Sequence, residues 1–253
     1  MRDIIDHQTV PTNLNYLPIF HSCDSLFFKK IITERCIKVR DCKIFDEKLS
    51  YFFYGKPAYK SREVNSKLSS FLPTSFILDL DNLDSLKRMA PFDTGAFADN
   101  LFDRYMHPAM TIYDFLLTPK KETLLKLVSF FYGNNENYLK AKLKPSFTCD
   151  SMEFEVESYK SMIIETAIST SDERKTSIEI QSVKDVSIES GILKAIILPS
   201  SFLASPNIES LMKEVEFEIL PYEDFGQLSN NHYNDVFRLT REYFENNSFI
   251  PRK

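Results

Sequence analysis

The sequence has little of what defines several protein classes. Its 253 residues include no tryptophan, five glycines and four cysteines, and none of its apolar runs reaches the ~18 residues that cross a membrane. The four cysteines form no CxxC pair, which fits free thiols in a reducing compartment rather than a disulfide scaffold. The first eight residues are too polar for a signal peptide. We therefore expect a cytoplasmic protein with no membrane partner.

The composition is that of an ordinary globular protein, with 43% hydrophobic, 26% charged and 13% aromatic residues. The net charge of −5 argues against a nonspecific polyanion binder, although a local basic patch is compatible with it. A chain of this length buries about 70–75% of its unfolded surface, so its fold needs no disulfide or structural metal for stability. We interpret residues 1–253 as one domain with a C-terminal strand–helix extension.

An aromatic segment at residues 50–60 is the most distinctive stretch, with the sequence SYFFYGKPAYK. Its aromatic residues favour an extended strand end. Gly55 permits a backbone conformation or a close approach that a side chain would block, and Pro57 interrupts a regular ladder. The pattern predicts a strand that runs into a rigid loop with rings on both sides, which suits a flat ligand. The alternative is that these rings are core residues.

Hydrophobic periodicity predicts an α+β fold with helices flanking a central set of strands. We expect helices after an N-cap at Asp24, and at residues 119–132, 207–213 and 232–245. We expect strands at residues 16–23, 35–39, 71–80, 147–157, 176–183, 192–199 and 215–220. Residues 159–168 fit either a strand or a helix.

Three polar positions stand at places where strands or turns present side chains. His21 ends the first predicted strand, just before a helix. Glu179 and Gln181 share one face of a later strand, opposite Ile178 and Ile180. Asp93 begins an Asp-Thr-Gly turn; an aspartic protease would need a second such turn, so we expect a turn that lines a cleft and makes local hydrogen bonds.

The order of these features resembles the ADP-ribosyltransferase superfamily of the His-Tyr-Glu type, which includes diphtheria toxin, the poly-ADP-ribose polymerases and, more loosely, DarT. The resemblance rests on residues 17–59 and 173–181. It implies a split, mixed β-sheet core and an enzyme that cleaves the nicotinamide–ribose bond of NAD and transfers ADP-ribose.

The resemblance also implies roles for individual residues. Glu179 and His21 would be catalytic, with Glu179 holding the 2′-hydroxyl of the ribose that is attacked. NAD would be bound by His21, Ser22, Tyr51, Tyr54, Gly55, Lys56 and Tyr59, with Tyr54 or Tyr59 against the nicotinamide. Further candidates are Arg174, Gln181 and Asp93. No metal ligand is implied.

The sequence departs from the family pattern in two places. Cys23 stands two residues after His21, where many relatives have Ser or Thr. The run Glu153, Glu155 and Glu157 competes with Glu179 for the part of the catalytic carboxylate, and Glu179 itself has an alternative as an exposed strand residue. The cations Lys56, Lys60, Arg62 and Lys67 would either meet the pyrophosphate or form an ordinary solvated face.

Three alternatives to a transferase stay open. The first is a zinc site, for which His21, Cys23, Cys36 and Cys42 are chemically suited although their spacing matches no finger or ribbon. The second is a noncatalytic binding module on a degenerate transferase fold. The third is an NAD glycohydrolase that uses water as acceptor.

The acceptor is left open between nucleic acid and protein. Net acidity disfavours extended nucleic-acid binding, whereas a compact single-stranded site of aromatics and a few cations is compatible with the sequence. By analogy with its family, such an enzyme would be a toxin or an antiviral effector held by an inhibitory, antitoxin-like partner.

Overall fold

The strands form one large sheet and one small one. The structure is a computed structural model that describes residues 1–58, 66–83, 85–169, 173–226 and 228–252. The strands in these ranges are β1 (Ile19–Asp24), β2 (Cys36–Ile37), β3 (Arg40–Cys42), β4 (Glu47–Tyr54), β5 (Pro73–Leu78), β6 (Arg88–Ala90), β7 (Glu179–Ser182), β8 (Val186–Ser187), β9 (Leu193–Pro199) and β10 (Glu218–Tyr222).

The helices pack around the large sheet. In the same ranges they are α1 (Arg2–Asp6), α2 (Ser25–Glu34), α3 (Thr94–Ala98), α4 (Ile112–Phe115), α5 (Lys121–Phe131), α6 (Asn135–Leu139), α7 (Phe154–Ser169), α8 (Pro206–Glu214) and α9 (Tyr233–Asn246). The predicted helices at residues 24–34, 119–132, 207–213 and 232–245 correspond to α2, α5, α8 and α9.

The large sheet is mixed. Its strand order is β10–β9–β5–β1–β4–β7–β6, with β3 paired to β4 outside this path. Strands β9 and β10 are parallel, and the other paired strands of this sheet are antiparallel. The predicted α+β class, with a mixed sheet and flanking helices, is confirmed.

The large sheet splits between β1 and β4. Among the described residues these strands pair only at Ile19 with Tyr54 and at Phe20 with Phe53. Beyond Phe20, β1 continues along β5 and β4 continues along β7, so the two strands diverge from His21 onward. An opening in the sheet therefore begins at His21.

The core lies along the middle of the sheet and under α9. All six residues of β5 are buried, and Phe20 and Phe76 have no exposed surface. Helix α9 buries one face, and the ring of Phe244 meets Phe20 edge-on with 5.8 Å between centroids. Burial of these large apolar side chains is the main driving force that holds the strands in place.

The prediction of a strand at residues 147–157 is wrong. Helix α7 begins at Phe154 and ends at Ser169. Residues 159–168, for which the sequence fitted either a strand or a helix, are therefore helical. Two of the three apolar residues of the alternating pattern are exposed, Met152 at 70% and Phe154 at 48%. The third, Val156, is buried together with Tyr159 and Ile163, at helical spacing. The alternation was too short to distinguish a strand from the start of a helix.

The predicted special role of Gly55 is confirmed. Gly55 follows β4 with φ +65°, a left-handed conformation that residues with a Cβ rarely adopt. A Cβ at this position would lie 2.6 Å from Leu17 Cδ1 and 3.2 Å from Tyr138 Cε1. The glycine therefore allows the chain to turn tightly against the residues that precede β1.

Tyr138 closes the ladder where β4 ends. Its hydroxyl donates to the carbonyl of Tyr54 at 2.6 Å and accepts from the backbone N–H of Ile178 at 3.2 Å. All three groups are buried, so neither backbone group has water as a substitute partner. This single hydroxyl thus ties the end of β4 to the segment that leads into β7.

We predict that Tyr138→Phe destabilises the protein by about 1–3 kcal/mol, because it leaves a buried carbonyl and a buried N–H without partners. Chemical denaturation followed by circular dichroism measures this change. The matched control is Tyr113→Phe, since Tyr113 is 65% exposed, and we expect no change there beyond ~0.5 kcal/mol. Equal stability of the two variants would contradict a bridging role for Tyr138.

Candidate active site

A cleft of about 310 Å³ opens at the split of the sheet. It is lined by side chains from three neighbouring strands and from the start of α3, including His21, Ser22, Tyr51, Asp93 and Glu179. Divergence of β1 from β4 creates the space, and β7 beside β4 supplies its acidic residue. The structure therefore brings five of the residues singled out from the sequence to one place.

His21 stands at the point where the β1–β4 ladder ends. Its Nδ1 lies 2.9 Å from the carbonyl oxygen of Tyr51. A carbonyl only accepts hydrogen bonds, so the proton is on Nδ1 and Nε2 is an acceptor. Burial lowers the pKa of His21 to about 4, and the nearby charge of Arg40 acts in the same direction, against the bond to Tyr51. At neutral pH the ring is uncharged.

Glu179 lies at the bottom of the cleft and is 2% exposed. Its Oε2 accepts from the backbone N–H of Thr94 at 3.0 Å. Its Oε1 accepts from the Thr94 hydroxyl at 2.8 Å and from the Gln181 side-chain amide at 2.6 Å. The alternative of an exposed strand residue is therefore wrong, because Thr94 at the start of α3 packs onto the Glu179 side chain.

The charge state of Glu179 is set by opposing effects. Burial, and then the negative charge of Asp93, raise the pKa of Glu179 to about 8, while the three donors from Gln181 and Thr94 act to lower it. Burial outweighs the hydrogen bonds, since desolvation penalises the charged form most strongly. Such a carboxyl group in a cleft is typical of a functional site.

Asp93 reaches the cleft because it caps α3. Its Oδ1 accepts from the backbone N–H of Ala96 at 3.0 Å, which confirms the predicted turn with local hydrogen bonds. Its own N–H donates to the carbonyl of Arg174 at 3.0 Å. The 3₁₀ turn Glu173–Thr176, which precedes β7, thus fixes Asp93 beside Glu179.

Aromatic and basic side chains form the remaining wall. Tyr51 and Phe53 of β4 line the cleft together with Phe27 of α2. The guanidinium of Arg40, on β3, lies over the Phe27 ring at 4.3 Å. Lys38 also lines the cleft, where it is ion-paired to Glu34 at 2.9 Å. The cleft thus offers flat apolar faces and two cations near a buried carboxyl group.

The structure places Tyr54, Gly55 and Lys56, three of the predicted cofactor contacts, outside the lining of the cleft. Tyr54 is buried in the core, where its hydroxyl accepts from the Leu17 N–H at 3.0 Å. Gly55 and Lys56 line a different cavity, near α6 and α9. Tyr54 is the last residue of β4 that pairs with β1, and Gly55 and Lys56 follow it, so the three residues lie at the closed end of the split.

Lys56 is held by contacts with other residues of the protein. It is buried, and its Nζ donates to Glu173 at 3.1 Å and to Thr176 at 3.0 Å. The ammonium also lies 4.8 Å from the centre of the Tyr138 ring. Of the other basic residues, Lys67 does not line the cleft, and Lys60 and Arg62 lie outside the described residues. The predicted nicotinamide contact Tyr59 also lies outside the described residues.

The other two predicted candidates, Arg174 and Gln181, do not line the cleft but contact residues that do. Arg174 contributes its carbonyl to Asp93. Gln181 donates to Glu179 and to the Thr94 hydroxyl, while its buried Oε1 has no hydrogen-bond partner among the described residues. A buried acceptor without a donor is rare in folded proteins and is a feature of sites with a function.

Sequence reasoning missed Thr94, Arg40 and Lys38. Thr94 gives Glu179 two of its three hydrogen bonds, yet the sequence places it 85 residues away. The signal for Arg40 was weak, since β3 has only three residues. The contact of these residues with the cleft depends on chain pairing that no local pattern encodes.

The zinc alternative finds no ligand set in the described part of the chain. No group of three or more His, Cys, Asp or Glu side chains lies close enough there to hold a metal ion. The Cys23 Sγ lies 3.6 Å from the hydroxyl oxygen of Thr74 on β5, and burial raises the pKa of Cys23 to about 12. Cys23, Cys36, Cys42 and Cys149 are free thiols.

A scan against models of protein families, a search of curated proteins and a search of solved structures each found no match to this chain. Within the described ranges no helix is long and apolar enough to span a membrane. The functional argument therefore rests on the geometry of the cleft.

The raised pKa of Glu179 makes a prediction for stability. Because the folded state holds this proton up to about pH 8 while the unfolded state releases it near 4.5, stability falls as pH rises between these values. We predict that the wild type loses a few kcal/mol more than Glu179→Gln between about pH 5 and pH 8.

Urea denaturation at several pH values measures this difference. Comparison with Glu179→Gln cancels the contribution of His21, whose lowered pKa acts with the opposite sign between about 4 and 6.5. Glu157→Gln, on the exposed side of α7, is the control and should follow the wild type. Parallel pH profiles for wild type and Glu179→Gln would contradict the raised pKa.

Proposed function

We propose that this protein is an NAD-dependent mono-ADP-ribosyltransferase that cleaves the nicotinamide–ribose bond and transfers ADP-ribose to a macromolecular acceptor. The observation that carries the proposal is the cleft at the split of the sheet, where His21 from β1 and Glu179 from β7 line the same space with Tyr51 between their strands. This is the set of residue types that the family resemblance requires.

Glu179 supplies the electrostatic part of the chemistry. Loss of nicotinamide develops positive charge on the ribose, in an oxocarbenium-like state related to that of glycosidases. A carboxylate held rigidly beside the 2′-hydroxyl stabilises that charge where it develops. The bonds from Thr94 and Gln181 hold Glu179 in one orientation. The cationic nicotinamide of bound NAD would favour the ionised form of Glu179.

His21 and Tyr51 suit the nicotinamide riboside half of NAD. The Nε2 of His21 is an acceptor, which a ribose hydroxyl can satisfy. The Tyr51 ring offers a face for stacking and for attraction to the cationic ring. Lys38 and Arg40 lie on the same cleft and would meet the pyrophosphate, in place of the cations expected from the aromatic segment.

The buried carboxyl group disfavours the noncatalytic alternative. Keeping Glu179 in a water-poor position with a raised pKa lowers stability near neutral pH, and a purely structural residue would not require that cost. The glycohydrolase alternative uses the same cleft with water as acceptor, and the acceptor assay below separates it from transfer.

We propose a nucleic acid or a protein as acceptor, and an inhibitory partner that restrains a toxin or antiviral effector, by analogy with the family alone. NAD labelled in its adenylate phosphate is incubated with the protein and a cell lysate. Label that becomes nuclease-sensitive indicates a nucleic-acid acceptor, and protease-sensitive label a protein. Release of nicotinamide without macromolecular label indicates hydrolysis.

We predict that Glu179→Gln lowers the rate of nicotinamide release about 10²–10³-fold, because Gln cannot supply negative charge to the developing oxocarbenium. The variant loses one of the three hydrogen bonds at this position, so the assay is run below its unfolding temperature. Glu155→Gln is the control, since Glu155 lies at the start of α7 and does not line the cleft.

Full activity of Glu179→Gln would overturn the assigned chemistry. Loss of activity in Glu155→Gln with a normal Glu179→Gln would move the catalytic carboxylate to α7 and leave the family assignment open. Nicotinamide release by the wild type, with or without lysate, is the baseline for both variants.

We predict that Tyr51→Ala weakens NAD binding about two- to twelvefold, as expected for loss of an aromatic contact worth about 0.5–1.5 kcal/mol. Tyr51→Phe keeps the ring and should bind NAD nearly as well as the wild type. Isothermal titration calorimetry measures both affinities. Equal affinity of Tyr51→Ala and wild type would show that the ring does not contact NAD.

A further inference from the structure

The cleft contains a second carboxylate with a different environment from Glu179. Asp93 lines the cleft from the start of α3 and is only half-buried, whereas Glu179 is almost fully covered. Thr94, the residue after Asp93, donates to both oxygens of Glu179, so Asp93 stands beside Glu179 in the segment that borders the cleft. Two carboxyl groups in unlike surroundings are how acid–base enzymes divide their roles.

The two oxygens of Glu179 are engaged by hydrogen bonds from the protein itself, so we assign the proton of the incoming group to another residue. Both of its oxygens already accept hydrogen bonds from Thr94, and one of them also from Gln181. These bonds fix Glu179 for an electrostatic role. Proton transfer requires a group that the acceptor can reach, and Asp93 lines the same cleft with more of its surface exposed than Glu179.

The backbone around Asp93 keeps it both fixed and accessible. Its Oδ1 is held by the Ala96 N–H, and its own N–H by the Arg174 carbonyl. The next residue along the cleft wall is Gly95, where a Cβ would come within 3.0 Å of Asp93 Oδ1. The absence of a side chain at Gly95 therefore leaves the carboxylate uncrowded.

We propose that Asp93 is a catalytic residue, the general base that takes the proton from the acceptor as it attacks the ribose. This inference rests on the proposed transferase function. It deepens that function by assigning the proton-transfer step to a residue other than Glu179.

The proposed reaction is a substitution at C1′ of the NAD ribose. The acceptor nucleophile X–H forms a bond to ribose C1′, and the bond from C1′ to the nicotinamide nitrogen breaks. The electron pair of that bond leaves with nicotinamide, which becomes neutral. The proton of X–H moves to the Asp93 carboxylate and is later released to solvent.

The chemical class of the acceptor follows from this step. A base is needed only when the attacking atom carries a proton that it must lose, as in a hydroxyl, an amide or a nucleobase N–H. A phosphate or carboxylate oxygen is already anionic and needs none. The acceptor is therefore a neutral O–H or N–H nucleophile.

The first test uses Asp93→Asn. Asn is as good an N-cap as Asp and keeps an oxygen for the Ala96 N–H, so α3 should be retained. We expect transfer of label from NAD to lysate macromolecules to fall about 10²–10⁴-fold, as for loss of a general base. NAD affinity should change less than threefold, because Asn keeps the size of Asp and an oxygen for the Ala96 N–H, so the cleft keeps its shape.

The second test separates a base from a merely structural residue. Asp93→Ser keeps an N-cap and leaves room beside the ribose. Azide is an anionic nucleophile that needs no base, so azide should restore nicotinamide release in Asp93→Ser and yield ADP-ribosyl azide. Azide should not restore Glu179→Gln, because that variant lacks the charge that stabilises the oxocarbenium.

The outcomes distinguish this inference from the proposed function. If the wild type neither binds NAD nor releases nicotinamide, the transferase proposal fails. If the wild type is active and folded Asp93→Asn transfers at the wild-type rate, Asp93 is not the base. If azide fails to restore Asp93→Ser while circular dichroism shows it folded, Asp93 acts through structure and the inference is overturned.

Discussion

The site depends on the hydrogen bond from His21 to the Tyr51 carbonyl, which lies where β1 and β4 stop pairing. Where β1 and β4 stop pairing, backbone groups on both strands lose their ladder partners, and buried polar groups need substitutes. The imidazole supplies one for Tyr51. The strands can therefore diverge inside the sheet without a large penalty. That divergence creates the cleft and leaves the second ring nitrogen as an acceptor.

The opposite end of the split is closed by a dense set of tertiary contacts. Gly55 turns against Leu17, Tyr138 bridges Tyr54 and Ile178, and Lys56 joins the turn before β7. Closure at one end and divergence at the other produce a wedge whose geometry is fixed by the core. The cleft is therefore preorganised, as electrostatic catalysis requires.

The ionisation of Glu179 is set by effects that oppose one another. Burial and the charge of Asp93 make ionised Glu179 unfavourable, and three donors only partly compensate. The resulting group responds strongly to a nearby positive charge, since a cation would shift its equilibrium toward the carboxylate. A cationic ligand and this carboxyl group therefore suit one another.

Periodicity in the sequence was enough to determine the class and many elements of the fold. Burial of apolar faces at helical or alternating spacing is a local property, so α5, α9, β5, β7 and β9 were predictable. It failed at residues 147–157, where a short alternation concealed the start of α7. Asp93 at a turn and Glu179 on a late strand were also readable as candidates, whereas His21, predicted to end the first strand, lies inside β1 at the point where its pairing with β4 stops. Tertiary structure alone decided which residues meet. Thr94 reaches Glu179, Arg40 reaches the cleft and Tyr54 and Lys56 leave it, because strand pairing joins residues far apart in the chain.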